Sequence, residues 1–155
     1  MRRLIPALAA AAVALAIVYS LAAPWLANRQ LASASTVAQV KHARSYDPLS
    51  VDALLELAAL EAATGSPSNA LRHYLDAVKL EPENALASYE LGAFYFGYKQ
   101  WGLAYDALNN SYTYDRFGPA SKTCGLLDQA RAKAHNFTPP RVLKSCPGLR
   151  RPAKP

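Results

Sequence analysis

Shifted by 34 residues, the chain matches itself: Leu57 falls on Leu91, Ala58 on Gly92, Ala70 on Ala104, Ala77 on Ser111, Leu80 on Tyr114 and Glu81 on Asp115. Self-similarity at this period marks stacked helical hairpins, in which no unit buries its apolar face alone and each neighbour must cover it. The spacing assigns a packing role to matched residues. Leu57 and Leu91 are followed by a small residue, Ala58 or Gly92, so one helix can approach its partner closely. The partner helix offers Ala70 or Ala104, a large residue four later (Tyr74 or Leu108), and then Ala77 or Ser111. Small residues at a crossing let backbones meet, and large ones fill the space beside it. "GSPSN" after Thr64 separates the helices of the first hairpin, and Pro82 in "EPEN" ends the second helix because the residue before proline avoids the α region. The chain is rich in Ala, so the expected class is all-α.

At these positions the sequence resembles the tetratricopeptide repeat family. With units counted from Val51 and Ala85, Leu-Ala or Leu-Gly stands at positions 7 and 8, Ala at 20, a small residue at 27, and "LEP" closes the first unit. Tyr95 matches the aromatic of position 11, where the first unit carries Glu61; Leu54 and Ser88 replace the usual Trp of position 4. "ARSYDP" fits the end of a preceding unit, so Leu31 to Tyr46 is expected as a lone second helix, its first helix missing. Downstream, Ala120, Cys124, Leu127, Ala130 and Ala134 share one stripe, as in an amphipathic capping helix. The expected organisation is an N-terminal stub and anchor over 1–28, a half repeat over 29–50, and full units over 51–84 and 85–118. A cap over 119–136 and a basic, Pro-rich tail over 137–155 complete it.

The anchor expectation rests on "MRRLIPALAAAAVALAIVYSLAAPWLANRQ", where two Arg precede a charge-free run to Asn28. Leu4 to Ala23 alone spans about 30 Å as a helix, the thickness of a hydrocarbon core. The run exceeds a signal peptide's apolar region, and a cut after "LAA" would leave Pro24 beside the cleaved bond. A single-pass helix with membrane contact over residues 4–27 is therefore expected, with Tyr19 and Trp25 toward the far interface. Arg2 and Arg3 favour a cytoplasmic N-terminus and extracytoplasmic repeats, while Arg29, Lys41 and Arg44 pull the other way.

Charge is segregated. Residues 51–116 carry four Lys/Arg against nine Asp/Glu, whereas residues 117–155 carry eight Lys/Arg against one Asp. The basic residues do not gather on one helix face, so the net charge of +6 implies no nucleic-acid partner. No catalytic pattern emerges. His42, His73 and His135 are scattered without ligand spacing, and Cys124 and Cys146 are too far apart for a CxxC site. No nucleophile elbow and no phosphate-cradling loop exists. Glu56, Glu61 and Asp76 read as solvent-facing carboxylates, and Asn109 and Asn136 as formal glycosylation sequons. No enzyme activity, metal or cofactor is expected. In an oxidising compartment Cys124 and Cys146 could pair; otherwise Cys124 is a small core residue.

The family resemblance implies a scaffold that binds a protein or peptide on the concave face lined by the first helices of the repeats. Carried over position by position, that face comprises Asp52, Leu55, Ala59, Ala62 and Ala63, then Leu86, Tyr89, Ala93, Phe96 and Gly97. The Lys/Asn set that clamps a peptide carboxylate in one subclass is missing, which favours an apolar or aromatic-anchored ligand. The apolar helix, half unit and "DPLSVDALLELAALEAATG" are also similar to the C-terminal end of bacterial O-antigen ligase-like proteins. That resemblance implies a cell-envelope setting and an alternative role as accessory subunit of a glycan polymerase or ligase. A structural cap without a ligand is the third reading.

Overall fold

The computed structural model describes residues 4–114 and 120–134, with side chains from Ala12 to Tyr114 and from Cys124 to Ala134. Those residues form seven helices and no strand: α1 (Leu4–Leu31), α2 (Val37–Arg44), α3 (Val51–Ala63), α4 (Pro67–Leu80), α5 (Ala85–Gly97), α6 (Trp101–Tyr114) and α7 (Ala120–Lys133). The 34-residue period appears in backbone detail. α3 and α5, and likewise α4 and α6, begin and end 34 residues apart. Ser50 caps α3 by accepting from the Ala53 N–H at 3.2 Å, and Asn84 caps α5 by accepting from the Ala87 N–H at 3.0 Å. The turns closing the two hairpins use the same bonds, Ser66 N–H to the Glu61 carbonyl and Gln100 N–H to the Tyr95 carbonyl. Each turn also needs one residue in the left-handed region. Gly65 supplies it at φ 81° in the first turn, and Lys99 at φ 60° in the second.

The chain divides into two units, Met1–Ala70 and Leu71–Pro155. In the first, α2 packs on α1 and on α3. The helix in the half-repeat segment is shorter than Leu31–Tyr46, because α1 continues through Pro24 to Leu31 and α2 starts only at Val37. Its start is set by a capping box: Thr36 Oγ1 accepts from the Gln39 N–H at 3.3 Å, and Gln39 Oε1 accepts from the Thr36 N–H at 3.1 Å. Nor is the first helix of that unit missing. Ala23 and Ala27 of α1 are buried, with Ala22, Leu26, Gln30 and Leu31 half-buried on the same stripe. The last third of α1 therefore serves as the partner of α2. His42 Nδ1 and Gln30 Oε1 lie 2.9 Å apart. Side chains lean toward their own helix N-terminus, so residues on two antiparallel helices can reach toward one another in this way. Upstream, every side chain from Ala12 to Leu21 is exposed. The stretch Ala12–Leu31 has mean hydropathy 1.2, long and apolar enough by length and composition to cross a membrane.

In the second unit α5 packs on α6, and α7 packs on both. A Cβ added to Gly92 would stand 2.6 Å from Leu108 Cγ and 3.1 Å from the Leu108 backbone nitrogen. The close approach expected near Ala104 thus centres one turn further along α6, on Leu108. Ala104, Tyr105 and Leu108 are fully buried beside it; burial raises the Tyr105 phenol above its usual range, and the Arg131 charge of α7 partly opposes this. Leu127 and Ala130 of α7 are buried in turn.

Two outcomes follow. Gly92→Ala should cost about 1–3 kcal/mol by overpacking against a side chain and a backbone atom; thermal melts read it, and the loss should shrink in a Leu108→Ala background. Lys99→Gly should stabilise by about 1 kcal/mol by removing a left-handed side-chain residue, while Gly65→Ala, with open space around it, loses a similar amount.

Candidate functional site

The repeat-packing residues Leu57, Ala58, Ala70, Tyr74, Ala77, Leu91, Gly92, Tyr95, Ala104 and Leu108 are all buried. What they leave on the first helices of the hairpins is the candidate surface. On α3, Asp52 and Ala59 are exposed and Ala62 is half-buried, but Leu55 is only 8% exposed. Leu55 is therefore a core residue, not part of an open surface; a large apolar side chain at that position is covered wherever a neighbour can reach it. On α5, Leu86 is 45% exposed, and Tyr89, Ala93 and Phe96 are half-buried. Spacings of three and four residues place these four on one stripe.

The stripe is closed at one end. The Phe96 ring meets the Trp101 ring edge-on at 5.0 Å, and Lys133 Nζ lies 5.0 Å from the Phe96 centroid and 4.5 Å from that of Trp101. A cation over two aromatic faces holds the last turn of α7 against the end of α5. Phe96 thus belongs to the cap contact, and the open part of the stripe is Leu86, Tyr89 and Ala93. Trp101 and Lys133 were not legible as partners of Phe96, because they lie five and 37 residues away in sequence. The back of α5 carries a second aromatic group: Phe94 is 5.4 Å from Tyr74 and 4.6 Å from Tyr98 by ring centroids.

Glu90 adjoins the open stripe, and burial pushes its carboxyl above the usual carboxylate range. Glu61 departs from its expected solvent-facing place. It is 4% exposed, and Lys41 Nζ of α2 lies 3.8 Å from Oε1. It stands where α5 has Tyr95, so the fold buries whatever occupies the position. Glu56 and Asp76 are exposed. Asn109 is 9% exposed, its Oδ1 buried without a hydrogen-bond partner among the described residues, so that sequon is closed to a glycosylating enzyme in the folded state; Asn136 lies outside the described residues. Cys124 is disulfide-bonded, and Cys146, the sequence's other cysteine, lies outside the described residues, as does His135. Among the described residues no cluster of His, Cys, Asp or Glu could hold a metal ion.

No family model matches the chain, and no curated protein is significantly similar to it. Among solved structures it is similar to the type III secretion chaperone SycD of Yersinia enterocolitica, solved in complex with a peptide of the translocator YopD. The two are 15% identical with a TM-score of 0.57, over 77% of this chain and 94% of that one. The likeness establishes the fold, an all-helical tetratricopeptide-like array.

Phe96→Ala should lower stability by about 1–3 kcal/mol, less than for a fully buried ring, whereas Leu86→Ala should stay within about 0.5 kcal/mol; melting curves separate the two. The folded state binds the Glu90 proton more tightly than the unfolded chain does. Its contribution is therefore fully present below the ordinary value of 4.5 and is lost as pH rises through the raised value. Glu90→Gln should melt higher than wild type at pH 7, and the difference should vanish below about pH 4.5.

Proposed function

We propose that this chain is a membrane-anchored, non-catalytic scaffold of the cell envelope that holds a protein or peptide partner through its repeat helices. The observation that carries the binding role is the partly exposed stripe of Leu86, Tyr89 and Ala93 on α5. An apolar, aromatic-centred strip on a rigid helix suits a partner helix or extended peptide that inserts apolar side chains. The neighbour SycD, of the same fold, was solved with a bound peptide, which supports a peptide-binding role here. The anchor is α1, whose described side chains from Ala12 to Leu21 are all exposed and include Val13, Leu15, Ile17, Val18 and Leu21. So much exposed apolar side chain on one helix is out of place in water, and a bilayer would cover it. The orientation is N-terminus in and repeats outside the cytoplasm, supported by Arg2 and Arg3 ahead of the apolar run. In that compartment a Cys124–Cys146 bridge would be stable against reduction.

In isolated membranes the chain should resist extraction by alkaline carbonate, and protease added to spheroplasts should remove the repeats. Release by carbonate would refute the anchor, and full protection of the repeats would invert the orientation. A photo-crosslinking residue at Tyr89 should trap one main partner that the same residue at Glu56 does not. Equal trapping at both positions would refute the α5 stripe as the binding surface. A trapped glycan polymerase or ligase would point to the accessory-subunit role within the same scaffold reading.

A further inference from the structure

The α1–α2 hairpin carries a coincidence of lengths. The covered stripe of α1 runs from Ala22 to Leu31, about 14 Å of helix at 1.5 Å per residue. α2 begins after the turn that ends α1, packs along it and has 8 residues, about 12 Å. His42, in the last turn of α2, meets Gln30 of α1 at 2.9 Å, so the basic end of α2 lies alongside the covered stripe of α1. Upstream of that stripe α1 runs from Leu4 to Leu21, about 27 Å of helix, close to the ~30 Å of a hydrocarbon core.

The chemistry at this level is that of a headgroup layer. Trp25 is 60% exposed, with the Arg29 guanidinium 5.4 Å from its ring centroid. The last turn of α2 carries Lys41, His42 and Arg44. No Asp or Glu occurs before Asp47, so neither α1 nor α2 has a carboxylate to offset these charges. Lys41 is shared with Glu61 of α3, and Arg29 and Arg44 form no ion pair among the described residues. The Arg44 Nε–H reaches the Pro48 carbonyl at 3.4 Å, and its terminal nitrogens remain for another acceptor.

We infer that the α1–α2 hairpin is a seat on the bilayer: Trp25 and Arg29 enter the headgroup layer, and the basic end of α2 rests on anionic phospholipid headgroups beside them. The phosphate groups supply the acceptors that Arg29 and Arg44 lack within the hairpin. The inference rests on the anchor reading above. It adds that α2 is held against the surface by lipid charge, and does not merely follow the span on a free linker.

The test uses the full chain in phosphatidylcholine vesicles with and without phosphatidylglycerol. With Trp101→Phe, Trp25 is the sole tryptophan, and lipids brominated near the headgroup should quench it more than lipids brominated near the chain end. In wild type, α2 amides should exchange more slowly in the anionic vesicles, by about fivefold for each engaged Arg, the equivalent of ~1 kcal/mol. Arg29→Gln with Arg44→Gln should abolish the difference. Strongest quenching by deep bromines, or α2 exchange independent of lipid charge in chains that resist carbonate, would overturn the seat and leave the anchor standing. Release by carbonate would overturn the anchor and the seat together.

Discussion

The contact on which the second unit depends is the crossing of α5 and α6, where Gly92 leaves no room for even a methyl group beside Leu108. Two helices meeting this closely exclude water from the crossing and bring Leu91, Tyr95 and Ala104 into one buried layer. The small residues do not contribute by their own burial, since Ala and Gly remove little apolar area from water. They contribute by letting large neighbours pack. Ala58 and Ala70 hold the corresponding positions in the first unit, both fully buried.

Once α5 and α6 close in this way, the apolar surface left over becomes informative. On α5 it is a short stripe whose far end is taken by Trp101 and Lys133, so the chain covers part of its own candidate surface and leaves Leu86, Tyr89 and Ala93. On α1 it is a bare segment that ends where α2 begins to cover it. One helix thus serves two environments. Its side chains from Ala12 to Leu21 are exposed, and its last third has the burial pattern of a repeat helix.

The repeat also tolerates two local compromises. Lys99 adopts the left-handed conformation that Gly65 takes without strain, at a cost of about 1 kcal/mol. Glu61 sits buried where Tyr95 sits in the next unit, and Lys41 answers its charge. A buried carboxylate with an exposed partner is a poor source of stability compared with an aromatic ring. In both cases the backbone geometry is kept and the residue conforms to it.

The sequence by itself determined the all-helical class, the 34-residue period and the small and large residues buried at the repeated positions, because periodic contrast between large, small and polar side chains is written along the chain. It also placed the breaks, since Gly65 and Pro82 act locally. Only the tertiary structure decided three matters. The end of α1 doubles as a repeat helix; only Asn28, Arg29 and Gln30 interrupt the apolar run there, too few polar residues to mark which side a neighbour covers. Phe96 and Leu55 were drawn from the candidate surface into packing, because exposure depends on neighbours distant in sequence. Glu61 was buried for the same reason: a carboxylate reads as surface until the fold brings a lysine to it, and that proximity is a property of the packed helices.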